Sequence, residues 1–463
     1  MKTRDRYDVI VAGGGTAGAI AAIAAARTGA RTLVVEPHSY LGGNLSLGMN
    51  LLGAADAEGY WALGGIGREL IERLIPIHGA TAPQLDPQFG SILAHDPEML
   101  KVALLEMAVA EELDILFHAI VVGCVSGNGS VTGLEVATKA GVRTIEASAI
   151  VDATGDADIL AAAGGSFEHG RGPDRKSQPA SRIFRVGGVD MKRVFDYLAE
   201  NPADIKPPRG WTGDTYDIDA LRATPGATIE AFGDLIRRAK KAGDWTIPRW
   251  RLGLYTLPDR DEVGVNVTRV HGIDGTNPDD VSRAEVVTVL QMAEVVRFLQ
   301  KYVPGFEHAR ISSAPHQVGI RETRRLRGSH ILDTDDVMSG RDFDDQVGRG
   351  AYPLDVHDVE PGKGGSVLWP IKRSFGIPLG CLVPEELDGL VVAGRAISAT
   401  HEAAGSTRGQ AVCMVTGHAA GTLAALASRQ QSVHKVPHTQ LQATLLEQGA
   451  ILERSEHIDA HAH

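Results

Sequence analysis

Residues 7–36 read YDVIVAGGGTAGAIAAIAAARTGARTLVVE: an apolar strand, a glycine turn, a helix of small residues and a second strand. Val9, Ile10, Val11 and Ala12 run apolar up to Gly13, and Gly13, Gly15 and Gly18 then space as G-x-G-x-x-G. The first Gly permits a tight turn and the second lets backbone approach a pyrophosphate. The third lets helix and strand pack closely, with helix N–H groups facing the anion. Residues 19–26 are nearly all small, and Gly29 is placed to stop the helix. Glu36 ends the next strand, about 20 residues beyond the glycines, where a carboxylate accepts hydrogen bonds from ribose hydroxyls and repels a 2′-phosphate. Strand, turn, helix and acid at that spacing predict a dinucleotide site; the plainer alternative is an ordinary tight α/β turn.

A chain of 463 residues has room for two or three domains. Its net charge of −12 argues against nucleic acid or an anionic membrane as a partner, while leaving room for a local basic pocket. Cys124, Cys381 and Cys413 lie far apart and form neither C-x-x-C nor a metal-ligand spacing, so no metal site is expected. The first strand begins within a few residues of Met1, with no apolar leader before it and no uninterrupted span-length apolar stretch after it. The cytoplasm is therefore the expected location.

Further along, Leu41-Gly42-Gly43-Asn44 suggests a loop passing against a ligand. Asp96-Pro97 opens a helix to about residue 112. Residues 114–126, 130–137 and 142–147 read as a strand meander, followed by the small-residue turn Ala153-Thr154-Gly155-Asp156. Residues 168–179 are polar and Gly-rich and read as a mobile loop; residues 201–219 read as irregular. In residues 262–270, Val263, Val265 and Val267 alternate with Gly264, Asn266 and Thr268, the pattern of a half-buried strand. Asn277-Pro278 opens a helix to about residue 302, and Arg321, Arg324, Arg325 and Arg327 then crowd around Glu322. A late apolar strand ends in Gly394-Arg395, and a long helix follows to about residue 428, with Gly417, Ala420 and Gly421 small enough to pack against the first helix. The polar tail, with His457, His461 and His463, reads as solvated.

VDATGDAD, VNVTRV, GIRETRRLRG, YPLDVHD and AGRAISATHEAAGS, together with the N-terminal unit, resemble the FAD-dependent oxidoreductases of the glutathione-reductase superfamily over most of residues 7–428. The resemblance points to cofactor and fold, not to a substrate. It implies that Gly13, Gly15, Gly18 and Glu36 hold the ADP half of FAD, with Gly42, Gly43 and Asn44 along the pyrophosphate or flavin edge. It further implies Thr154, Gly155 and Asp156 beside the adenosine, Gly394 and Arg395 beside the pyrophosphate, and Gly405, Ser406, Thr407 and Arg408 against the flavin pyrimidine. A helix N-terminus there would stabilise the negative charge of reduced flavin. Relatives that bind flavin covalently usually carry His in the loop after the second strand; Tyr40 and Leu41 precede the glycines here, so FAD is expected to be non-covalent, with His38 the nearest alternative. Where many relatives have Pro early in the last helix, this chain has Ala411.

Flavin chemistry needs a hydride at N5 and usually a base for the matching proton. His401 is the first candidate base and His357, between Asp355 and Asp358, the second. Arg321, Arg324 and Arg325 either fork onto a substrate carboxylate or pair with acids such as Glu322. Asn266 and Arg269 face opposite ways, so at most one lines the site, and Tyr352 and Trp369 are candidate walls.

The expected fold is α/β: a Rossmann-like FAD-binding domain, discontinuous over residues 1–165 and 372–432, with an inserted α+β substrate domain on an antiparallel sheet over 166–371 and a C-terminal tail over 433–463. The expected activity is that of an FAD-dependent oxidoreductase, a dehydrogenase or oxidase moving a hydride between a small organic substrate and flavin N5. A flavin monooxygenase reduced by external NAD(P)H and a non-catalytic FAD-binding redox sensor are the alternatives. NAD in place of FAD is disfavoured by the segment 394–408. The expected partners are a small-molecule substrate and an electron donor or acceptor; neither nucleic acid nor membrane is expected, and a homo-oligomer is compatible with the sequence.

Overall fold

Alternation in the first strand, Arg6–Ala12, decides the layering. Val9 and Val11 enter one apolar core, and Ile10 and Ala12 enter another on the opposite face. The computed structural model describes residues 3–206, 217–224, 226–257, 260–360 and 365–458. In it, Arg6–Ala12 lies between Thr32–Glu36 and Gly141–Asp152, parallel to both, with Asp114–Phe117 and Leu390–Val392 extending the parallel sheet on either side. Chain order reverses beside the first strand, the place where open α/β sheets bind ligands at their carboxyl ends.

Gly141–Asp152 joins the parallel and antiparallel parts of one seven-stranded sheet. Its last residues pair with Leu390–Val392, while its first pair antiparallel with Ser130–Thr138, which pairs in turn with Ile120–Gly127. That meander covers one face of the parallel sheet through Leu134, Val136 and Ile145. The predicted strand 114–126 is broken at His118, whose φ of 54° turns the chain from the parallel sheet into the meander.

Helices cover the other face. Thr16–Arg27 is nearly all Ala and Ile, good helix residues with little bulk. It ends at Gly29, φ 89°, with Gly29 N–H on Ala26 O and Ala30 N–H on Ala25 O. Gln410–Gln430 packs along it so closely that a Cβ at Gly417 would sit 2.2 Å from Ala17 O, and one at Gly421 2.0 Å from Ala21 O. The long helix is apolar enough to cross a membrane by composition, but here its apolar window is 94% buried inside the protein.

His418 of that helix is buried, its Nε2 2.8 Å from Gln448 Oε1, and burial pushes its pKa down to about 4. The unfolded imidazole titrates near 6.5, so unfolding takes up a proton between those values and stability falls as pH drops through that window. By pH 5 the loss should be about 2 kcal/mol, and His418→Asn should remove most of it. Urea midpoints at about pH 7 and pH 5 measure it; equal acid sensitivity in the variant would contradict this assignment.

A second core forms on the antiparallel sheet, ordered Thr228–Ala231, Leu252–Thr256, Glu262–Asn266, Ile183–Gly187, Arg310–Ser313. Val263, Val265 and Leu254 face Val295, Phe298 and Leu299 of helix Pro278–Tyr302. Return to the first core comes earlier than expected, since Leu332, Val337, Val347 and Leu354 already belong to it. Residues 168–179 are tied down rather than loose. Phe167–His169 pairs with Arg324–Leu326, and Gln178 is buried with its carboxamide oxygen accepting from His357 N–H. Of residues 201–219, 207–216 lie outside the described residues.

The C-terminal segment also packs inward. Leu441 and Leu445 are buried, Arg454 pairs with the fully buried Asp56 at 2.7 Å, and the His457 ring stands edge-on to Tyr60. His461 and His463 lie outside the described residues.

Candidate functional site

Local backbone demands build the phosphate-side turn. A Cβ at Gly18 would lie 1.8 Å from Gly13 O, so only Gly lets the helix start there. Gly15 has open space where its Cβ would be, facing a cleft of about 670 Å³. The cleft starts among Gly15, Thr16, Gly43 and Asn44. It passes Thr154, Gly155, Asp156, Gly394 and Arg395 at the carboxyl ends of the strands, and reaches Tyr255 and Asn266 on the antiparallel sheet.

Several expected site residues sit behind this surface. Gly13, Gly18 and Gly42 shape the turns from beneath it. Glu36 is buried; its Oε2 accepts Gly14 N–H at 2.7 Å and its Oε1 accepts His38 N–H at 2.9 Å, so the carboxylate staples the turn. Glu36→Ala strands those two N–H groups, at about 1–3 kcal/mol. It should lower the flavin retained per protein through gel filtration, measured by visible absorbance; full retention would show that the turn holds its shape without the staple. Arg395 is fastened by Gly155 O and Ile320 O, both at 2.6 Å, and by Asp156 at 2.5 Å. His38 is outside the cleft, its ring tilted 52° against that of His316 with centroids 3.6 Å apart.

Gly405 and Ser406 do not line the cleft. A Cβ at Gly405 would meet Asp355 O at 2.9 Å, and the Ser406 hydroxyl donates to Tyr352 O. Both hold the 352–355 segment in place. Beside them three buried polar atoms have no partner: Thr407 Oγ1, Arg408 Nε and Gln410 Oε1. Arg408, Gln410 and Cys413 line the cleft where helix Gln410–Gln430 begins. Burial pushes the Cys413 thiol up to about 12, so it stays protonated.

His401 is not a cleft residue. Its Nδ1–H donates to Glu322 Oε1 at 2.8 Å, inside a buried cluster with Arg325. A short turn places it within hydrogen-bond reach of remote residues, which spacing alone does not reveal. His357 does line the cleft, between two charged partners. Arg269 Nη2 donates to its Nδ1 at 2.7 Å, so the ring hydrogen is on Nε2 and donates to Asp355 Oδ2 at 3.2 Å. Burial, then Arg321, holds His357 neutral, well below the ordinary imidazole range. The lone pair a base needs is therefore engaged. Burial raises Asp355, but His357, Arg408 and Arg321 outweigh it and hold the carboxyl far below its usual range. Arg408 donates to Asp355 Oδ2 at 2.9 Å and to its carbonyl at 2.7 Å.

Of the three arginines singled out for a substrate carboxylate, only Arg321 reaches the cleft. Arg324 bonds Ala157 O and Asp158, and Arg325 is buried on Glu322. Asn266 lines the cleft and Arg269 stands behind it; Tyr352 lines it and Trp369 does not. Lys206, Glu230, Arg249 and Tyr255 also line the cleft and were not singled out from sequence; the alternation of Leu252 and Leu254 with Gly253 and Tyr255 is a signal that could have found Tyr255.

A parallel sheet with a glycine turn at its switch point, opening into a cleft against a second sheet, defines a dinucleotide-dependent enzyme. The model of the FAD dependent oxidoreductase family matches residues 8–445, and the chain belongs to that family. It is an FAD-dependent oxidoreductase. Among solved structures it is similar to a geranylgeranyl bacteriochlorophyll reductase-like protein from Thermoplasma acidophilum (15% identity, 96% of this chain, 84% of that one, TM-score 0.47). It is also similar to p-nitrophenol 4-monooxygenase PnpA from Pseudomonas putida (10%, 96%, 85%, 0.47) and to the flavin-dependent brominase Bmp2 (15%, 95%, 83%, 0.46). The residues present fit the cofactor: Gly15 leaves space for a diphosphate, and on the cleft wall Arg408 Nε and Gln410 Oε1 offer a partnerless donor and acceptor of the kind a flavin pyrimidine requires.

Proposed function

We propose that this enzyme moves a hydride between a small organic substrate and FAD held non-covalently, with substrate resting on the antiparallel sheet. The continuity of one cleft from Gly15 to Tyr255 and Asn266 supports this reading, because it seats cofactor and substrate end to end. Bound FAD supplies the hydride acceptor or donor at N5. In this reading Gly15, Gly43, Asn44, Thr154, Gly394 and Arg395 hold its phosphate half, over a turn that Gly13 and Gly18 shape from beneath. The N-terminus of Gln410–Gln430, with Arg408, presents positive potential to the flavin end. Asp355 and His357 anchor Arg408 and Arg269 and keep water-exposed charge out of the wall.

The test is the visible spectrum of the purified protein before and after acid precipitation, then anaerobic addition of substrates. Flavin released to the supernatant and bleached by an organic donor supports the proposal. Flavin that stays in the pellet contradicts non-covalent binding. Bleaching only by NAD(P)H, with oxidation stimulated by a second compound, replaces hydride transfer from substrate with monooxygenation.

A further inference from the structure

The sheet end of the cleft carries donors that lack acceptors. Among the described residues no carboxylate lies within ion-pair distance of Arg321; its Nη1 donates to the neutral Pro179 O at 2.5 Å. Arg249, with a side chain 12% exposed, has Glu230 Oε1 at 3.9 Å, beyond hydrogen-bond reach, and Glu230 already holds Lys206 at 2.7 Å. Tyr255 OH accepts from Asn266 Nδ2 at 3.0 Å, which leaves its own hydrogen free to donate.

The acids nearby are committed elsewhere. Asp355 is taken by Arg408 and His357. Asp86, in a small cavity that shares Lys206, Glu230, Arg249, Tyr255 and Asn266 with the cleft, accepts from its own turn at Gln88 and Phe89. Excess positive charge is also visible in the titration of the cluster. Burial, then Arg408 and Arg249, push Arg321 down to about 10; burial, then Arg249 and Arg321, push Arg269 down to about 9. Asp355 and Asp358 offset this positive charge only in part, and a bound anion lowers the cost of what remains.

We propose that this end of the cleft binds a small organic carboxylate, gripped by Arg249 and Arg321 with the Tyr255 hydroxyl as third donor. The substrate class is then a small organic acid, an assignment that rests on the hydride-transfer reading for its reacting end but not for its recognition. Arg is suited to the task because its planar fork matches a carboxylate bidentately. Arg408, already paired to Asp355, contributes field rather than contact.

Binding, not turnover, tests this. The flavin-loaded enzyme is titrated calorimetrically and by flavin difference spectrum with acetate, pyruvate, succinate and benzoate, and with acetamide, succinamide and benzamide as uncharged controls. At least one acid should bind while its amide does not. Arg249→Met and Arg321→Met should each weaken it about ten- to a hundred-fold, the size of a lost charge-assisted pair, and Arg249→Lys should recover part. An unaltered flavin spectrum in the free variants shows that they fold, and Arg249→Met serves if Arg321→Met does not. No acid binding, amides binding as well as acids, or unchanged affinity in a folded variant overturns the proposal. Acids that bind without ever bleaching the flavin uphold the anion site and count against hydride transfer. Bleaching by uncharged donors alone upholds hydride transfer and sinks the anion site.

Discussion

Arg325→Met is expected to destabilise the protein by about 3–5 kcal/mol, the scale of a buried ion pair broken from one side. The Arg325 side chain is 2% exposed and that of Glu322 0% exposed, and the two are paired. Arg325 also donates to Ala399 O at 2.9 Å and to Gly170 O at 3.1 Å, while Glu322 accepts from His401 at 2.8 Å and from Gln178 N–H at 3.3 Å. The cluster ties residues 170, 178, 322, 325 and 399–401 together behind the cleft. Methionine removes the cation and leaves a carboxylate in a dry site with too few donors. The urea midpoint measures the loss, and adding Glu322→Gln to Arg325→Met should recover part of it. A loss under about 1 kcal/mol would show that water reaches Glu322 and that the cluster is not a dry unit. His401→Ala belongs to the same experiment: its principal effect should be on stability, because its ring bonds Glu322 and does not line the cleft.

Gly421→Val is expected to cost about 3 kcal/mol or more and to reduce FAD retention with it. A Cβ at Gly421 would stand 2.0 Å from Ala21 O and 2.8 Å from Ala21 Cα, so the obstacle is backbone rather than a side chain that could turn aside. Helix Thr16–Arg27 would have to move away, and with it the Gly15 turn at its N-terminus. Thermal midpoint and flavin-to-protein ratio should fall together, with Gly421→Ala intermediate. A stable variant with full flavin content would mean that the two helices can separate without moving the turn.

Features set by local spacing were legible before the structure. The Gly13–Gly18 turn, the Ala-rich helix with its Gly29 stop, and the alternation of Val263 and Val265 with Gly264 and Asn266 follow from backbone geometry and side-chain period. So did the close packing of Gly417 and Gly421 on the first helix, since small residues at helical spacing mark a close approach. Arg321 was also singled out, by the crowding of arginines around it, but nothing local separated it from Arg324 and Arg325.

That separation was tertiary. Three cations within five residues reach the cleft, Asp158 and a buried acid because each side chain meets partners that pair through remote strands. The same holds for His401, bonded to Glu322 79 residues away, and for His357, whose Nδ1 accepts from Arg269 88 residues away. Residues 168–179 read as loose because their restraints come from residues 324–326 and 357. Propensity and period act over a few residues, so the amino-acid order carried the dinucleotide unit by itself. Burial and charge pairing act across the folded molecule, so only the tertiary structure decided which histidine and which arginine face the cleft.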